Sequence, residues 1–189
     1  MMKDRLTTVI LAGGQSSRMG TPKHSAIWRG KPLIEWVLEA VRPLSEEIII
    51  SANDSLFSYP DVTIAPDLFP GVGPVAGIES GLREASNEKV FIVSCDTPGI
   101  STDLIRYLWS CHGDFEITLA AHNGINEPLI GIYNKTMHPI FAEAIRSGVN
   151  KPPQIIRSRR WQEVEIHPQL EFHHPHLFLN INTPEELNQ

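Results

Sequence analysis

The sequence predicts an α/β fold on a mainly parallel sheet, and three observations carry that expectation. Apolar, β-branched runs of strand length alternate with segments of helical period through the first two-thirds of the chain. The first such run, Thr7 to Leu11, is not interrupted by charge, as befits a strand covered on both faces. The residues that follow the runs are Gly, Asn and Asp, which turn the chain and suit contact with a ligand at the carboxyl edge of an open sheet.

Each element has its own justification. Ala12, Gly13 and Gly14 end the first strand, and Gln15 to Arg18 suits a short helical turn. Leu33, Trp36, Val37, Ala40 and Val41 recur at helical spacing, with Pro32 suited to the first turn and Pro43 as terminator. Glu47–Ala52 and Val62–Ala65 read as strands, followed by Asn53 and by Asp67 respectively. The Gly- and Pro-rich loop over 67–74 precedes a helix from Val75 to Ala85. Lys89–Val93 is a strand and Thr102–Cys111 a helix capped by Ser101 or Thr102. Ile117–Ala121 and Leu129–Tyr133 are strands, and Thr136–Ser147 is a helix stopped by Gly148. Residues 151–161 form a basic helix or loop, and Val164–Ile166 and Leu177–Leu179 are late strand candidates. Thr183, Pro184 and Glu186 set out a capped final helix.

Bulk properties narrow the function. At 189 residues, 41% hydrophobic and 20% charged, the chain has the composition of one globular domain over 1–189. The formal charge of -6 argues against a nucleic-acid partner recruited by bulk electrostatics. The apolar run near the N-terminus is too short for a signal peptide or a membrane span. Cys95 and Cys111 lack zinc-site spacing and read as free thiols of a reducing compartment, so a cytoplasmic location is expected.

The residues that can carry chemistry follow the strands. Gly13 and Gly14 admit a ligand close to the backbone, whose N–H groups suit an anion, and Ser16 and Ser17 add hydroxyl donors. Arg18 and Lys23 add positive charge, so the loop reads as a phosphate site or as a tight turn flanked by solvated charges. It is neither a GxGxxG loop nor a GxxxxGK loop. Asp96, after a strand, is placed either to hold Mg²⁺ with substrate phosphates or to cap a turn. Asn53 and Asp67 are turn residues or readers of a base edge. Asn180 and Asn182 lie one residue apart on one face of an extended chain, facing a cleft or capping the last helix. Arg157, Arg159 and Arg160 are a solvated face or a receiver for an anionic second substrate, and the histidines at 167, 173, 174 and 176 read as a polar loop.

These residues resemble a known family. LAGGQSSRMGTPK is similar to the signature LAGGxSxRMGxxK of the MobA-like nucleotidyltransferases, and GVGPVAGIESGL, SCDTP, EPLIGIY and NINTPEEL resemble its later motifs in order. The pattern looks most like the guanylyltransferases of the molybdenum cofactor. The resemblance implies a Rossmann-like, GT-A-type three-layer sandwich that moves GMP from GTP to molybdopterin or its molybdenum-bound form, with Mg²⁺. It further implies contacts with other cofactor-biosynthesis proteins or apo-molybdoenzymes. By position, Leu11, Ala12, Gly13 and Gly14 would contact guanine and phosphates, Arg18 and Lys23 the triphosphate, and Asn53 and Asp67 the guanosine. Asp96 would bind the metal, and Asn180 and Asn182 would lie near the pterin. Pro22 stands where the family usually has Asp, and Ser94 where it has Pro. A CTP-using cytidylyltransferase, a sugar-1-phosphate nucleotidyltransferase and a non-catalytic nucleotide-binding homologue are the alternatives.

Overall fold

A computed structural model describes residues 6–13, 23–53 and 59–188. Its elements are β1 (Leu6–Leu11), β2 (Ile27–Trp28), β3 (Lys31–Pro32), α1 (Leu33–Val41), β4 (Ser45–Ser51), β5 (Thr63–Ala65), α2 (Pro74–Glu84) and β6 (Lys89–Ser94). They continue with α3 (Thr102–His112), β7 (Ile117–His122), β8 (Ile125–Asn134), α4 (His138–Arg146), α5 (Pro152–Ile156) and β9 (Trp161–Glu165).

Seven strands form one sheet in the order β5-β4-β1-β6-β8-β7-β9. Four of its pairings are parallel and the two made by β8 are antiparallel. The carboxyl ends of β5, β4, β1, β6, β7 and β9 therefore share one edge, and only β8 starts there. Ladder bonds continue past the strand ends: Ala12 N–H donates to Ser51 O at 3.0 Å, Ala52 N–H to Ala65 O at 3.2 Å and Cys95 N–H to Leu11 O at 3.0 Å.

Alternation along the strands splits the core into two layers. Ile10, Ile50, Phe91 and Val93 face α1 and α3, packing on Ile34, Leu38, Leu104 and Leu108. Val9, Leu11, Ile49 and Ile92 face the opposite side with Ile78 and Leu82 of α2 and Phe141 of α4. This is a three-layer sandwich, with about 1.5–3 kcal/mol favouring the burial of each such side chain. Helix α2 approaches β1 very closely: a Cβ on Gly81 would sit 2.3 Å from Val9 Cγ1. The loop before α2 turns through Gly71 and Gly73, both at φ +84°.

The structure departs from the sequence expectations in several places: the late strand expected over 164–166 runs as Trp161–Glu165, and the capped final helix is a 3-10 turn, Glu186–Asn188. Leu177–Leu179 is turn rather than strand, because its N–H groups go to local carbonyls, Leu177 to His174 and Leu179 to His176. The helix expected over 136–147 starts with a 3-10 turn, Lys135–Met137. β8 begins four residues earlier than expected, because Asn123 and Gly124 both take positive φ, 52° and 73°, and close a two-residue hairpin with β7. At α3, Ser101 is the cap, its Oγ accepting from Leu104 N–H at 3.2 Å.

Candidate active site

The parallel strands end in the residues that the sequence singled out. β1 delivers Leu11, Ala12 and Gly13, β4 delivers Asn53, β5 delivers Asp67, and β6 delivers Ser94, Cys95 and Asp96. Gly14, Ser16, Ser17, Arg18 and Pro22 lie outside the described residues. The C-terminal segment returns to the same edge, pinned where Ile181 N–H donates to Asp96 O at 2.9 Å.

A polar chain runs through the middle of the edge. Lys23 Nζ donates to Asp96 Oδ2 at 2.7 Å and also to Asn182 Oδ1. Asn182 Nδ2 in turn donates to Asn180 Oδ1 at 2.9 Å. The two asparagines share a face, yet they are not equivalent: Asn182 joins the Lys23 and Asp96 pair, while Asn180 lines an adjoining pocket. Capping of the final 3-10 turn, Glu186–Asn188, does not consume Asn182. The Glu186 carboxylate accepts from the N–H groups of Asn182 and Thr183 instead.

Asp96 is 6% exposed, and its second oxygen, Oδ1, is buried without a hydrogen-bond partner. A buried carboxylate oxygen left over in this way costs about 1–3 kcal/mol unless something occupies it. A hard divalent cation fits that need, since it takes carboxylate oxygen and completes its shell with phosphate oxygens and water. No cluster of three or more metal-ligating side chains occurs among the described residues. A cation would therefore be held by Asp96 together with substrate. The neighbouring Cys95 thiol is fully buried, and burial pushes its pKa far up, with the Asp96 charge adding to the shift; it is inert packing.

On the β1, β4 and β5 side, the turn residues interlock. Asn53 Oδ1 accepts from Asp67 N–H at 2.9 Å, and Asp67 Oδ1 accepts from Phe69 N–H at 2.7 Å. Each keeps a further polar group, Asn53 Nδ2 and Asp67 Oδ2, without a hydrogen bond among the described residues. Gly13 differs from the glycines of α2. Among the described residues, a Cβ there would meet only Ser51 O, at an ordinary contact distance of 3.7 Å.

The basic segment divides: Pro152 lines the adjoining pocket, while the arginines at its end lie elsewhere. Arg159 is paired with Glu116, and Arg160 N–H donates to Glu116 Oε2 at 2.9 Å, at the start of β7 and so at the opposite edge of the sheet. That position withdraws Arg159 and Arg160 as receivers for an anionic substrate. His176 packs edge-on against the buried Trp28 at 6.3 Å, which ties the histidine-rich loop to the fold. Sequence reasoning passed over Glu127, which lines the pocket, and His122 beside it. The Asn123 and Gly124 turn was their available signal.

A strand-end carboxylate on a lysine and a mainly parallel three-layer sandwich fit a nucleotidyltransferase domain. The chain belongs to the MobA-like NTP transferase domain family, which it matches over residues 8–164. It is 36% identical over 186 residues to a probable molybdenum cofactor guanylyltransferase of Carboxydothermus hydrogenoformans, covering 96% of this chain and 92% of the relative. It is 35% identical to the molybdenum cofactor guanylyltransferase of Vibrio vulnificus, covering 100% and 97%. Its structure is similar, with a TM-score of 0.82 and 26% identity, to molybdopterin-guanine dinucleotide biosynthesis protein A of Archaeoglobus fulgidus, covering 96% and 95%. The fold also matches 2-C-methyl-D-erythritol 4-phosphate cytidylyltransferase of Thermus thermophilus, with a TM-score of 0.73 and 16% identity. Among the described residues, no helix is long and apolar enough to cross a membrane.

Proposed function

We propose that this chain is a molybdenum cofactor guanylyltransferase, moving GMP from GTP to the phosphate of molybdopterin or of its molybdenum-bound form. The observation that carries the reading is Asp96: one oxygen on Lys23, the other buried and unpartnered, at the carboxyl edge where the strand-end turns converge. Residues 1–189 act as one catalytic unit in the cytoplasm. Product would pass to other cofactor-biosynthesis proteins or to an apo-molybdoenzyme.

Roles follow from position. The backbone of Leu11, Ala12, Gly13 and Gly14 approaches guanine and phosphates, and the open face of Gly13 supports that role. Asn53 and Asp67 keep an amide donor and a carboxylate acceptor, a pair that complements the guanosine. Arg18 and Lys23 hold the triphosphate and neutralise charge as pyrophosphate departs. Asp96 holds Mg²⁺, which supplies charge neutralisation across the phosphates. Asn180 and Asn182 orient the acceptor.

The bond forms between an oxygen of the acceptor phosphate and the α-phosphorus of GTP, and the bond from that phosphorus to the bridging oxygen of the β-phosphate breaks. The attacking oxygen is already anionic, so the site needs no strong general base. Its task is to align two polyanions and offset their repulsion. Lys23 is placed for this, since it already spans Asp96 and the asparagine pair.

Release of pyrophosphate, measured with each nucleoside triphosphate with and without molybdopterin, tests the proposal. Turnover with GTP only when molybdopterin is present is expected. Preference for CTP, turnover with a sugar 1-phosphate, or nucleotide binding without any turnover would overturn it.

A further inference from the structure

Beside Asp96 lies an open pocket of about 290 Å³, whose wall includes Ser94, Thr97, Glu127, Leu129, Phe178 and Asn180. Its volume is at the low end for a ligand site and suits one bicyclic ring rather than a whole nucleotide. Glu127 reaches this wall through an irregularity in β8. Leu119 pairs with Gly131 but Ala120 pairs with Glu127, so residues 128–130 leave the β7 ladder. Pro128 has no N–H to leave unpaired there, and Tyr133 Oη donates to Pro128 O at 2.6 Å. The bulge aims the Glu127 side chain at the pocket.

The Glu127 carboxylate makes no hydrogen bond among the described residues. Oε1 stands 3.5 Å from His122 Nδ1, a buried nitrogen that itself lacks a hydrogen-bond partner. The His122 ring is stacked on Phe178 at 4.2 Å and 5°. Partial burial pushes the Glu127 carboxyl above its ordinary range, while His122 opposes the shift. The wall thus presents an unsatisfied two-oxygen acceptor beside an aromatic ring and apolar Leu129.

We propose that Glu127 reads the N–H edge of a 2-amino-4-oxopyrimidine ring in the acceptor substrate, and so selects a pterin. This rests on the reading of the second substrate as molybdopterin. A ring N–H and an exocyclic amine lie side by side on that edge and match the two oxygens of one carboxylate. The charge of Glu127 also sets direction. It repels the acceptor's phosphate, and the chain from Asn180 through Asn182 to Lys23 leads that phosphate toward Asp96.

Intrinsic pterin fluorescence gives a direct test. Free pterin and lumazine, which carries a second oxo group in place of the amine, are titrated against the wild-type chain and Glu127→Gln. Wild type favours pterin by about tenfold or more, and Glu127→Gln abolishes the preference. In turnover, the same variant raises the KM for molybdopterin about tenfold and changes the KM for GTP less than about twofold. A structural role alone would not move the pterin-to-lumazine ratio. Equal affinity for the two rings in wild type, no pterin binding at millimolar concentration, or an unchanged ratio in Glu127→Gln overturns the proposal. Discrimination in the wild type without GTP-dependent turnover would instead overturn the guanylyltransferase reading and leave the pocket's specificity standing.

Discussion

The two sides of Asp96 are built by different means. On one side, the candidate site residues follow β1, β4 and β5 directly, and the parallel pairing of those strands aligns them. On the other side, the wall comes from an antiparallel hairpin, a bulge in β8 and a C-terminal return that packs its backbone on Gly99. A Cβ there would sit 1.7 Å from His176 O. The first side is an edge feature of the sheet and is specified locally. The second exists only when segments more than forty residues apart in the chain come together, as Glu127 and Phe178 do. In a two-substrate site, a shared nucleotide half and an adaptable acceptor half can change independently when they are built this way.

The largest effect should come from the group the two sides share. Asp96→Ala is expected to cost about 10³-fold or more in kcat, with circular dichroism and thermal midpoint showing a retained fold. Robust transfer in that variant would remove the metal role. Lys23→Ala should cost about 10²-fold and weaken both substrates, because Lys23 touches Asp96 and Asn182 together. A loss confined to one substrate's KM would show that the two sides are not coupled through this lysine.

Asp67→Asn should then separate the sides. The KM for GTP is expected to rise about tenfold while the KM for molybdopterin holds, since the change touches only the β5 turn. Equal changes in both constants would erase the distinction. Gly81→Ala acts on packing instead, because the added Cβ collides with Val9. It should lower stability by about 1–3 kcal/mol in urea unfolding while leaving the ratio of the two KM values unchanged.

The smallest effect is one of pH, away from the site. His112 is 3% exposed and hydrogen-bonds Thr118 and Asn134. Burial lowers its pKa, and nearby Lys89 acts in the same sense, while the Asn134 bond opposes them. The folded state thus binds the proton less readily than the unfolded chain. Stability from this group is present above the ordinary histidine pKa of about 6.5 and declines as pH falls from there through the lowered folded value. Unfolding midpoints of wild type and His112→Gln across that interval should show a shallower decline in the variant. Parallel curves would exclude His112 as the source.

Much of the carboxyl-edge side of the candidate site was legible residue by residue. Gly13, Asn53, Asp67 and Asp96 each follow a run whose composition marks a strand, and strand ends in parallel sheets collect at one edge. Glu127 was not legible in that way. It sits in the middle of a strand, and which face it presents depends on where the ladder with β7 slips. The mistaken strand at Leu177–Leu179 has a related cause. An apolar run there folds back on local carbonyls, Leu177 N–H on His174 O and Leu179 N–H on His176 O, beside Trp28 and Gly99.

Local signals were enough for the main strands and helices from β1 to α4, apart from the short pair β2 and β3, since period and turn chemistry act between near neighbours. They were enough to single out both Lys23 and Asp96, which the fold brings into contact. They could not place Lys23 on Asp96 and Asn182, set Asn180 apart from Asn182, or carry Arg159 and Arg160 to the far edge. Those outcomes depend on contacts between segments distant in the chain, where loop closure and packing, not neighbouring residues, choose the partner.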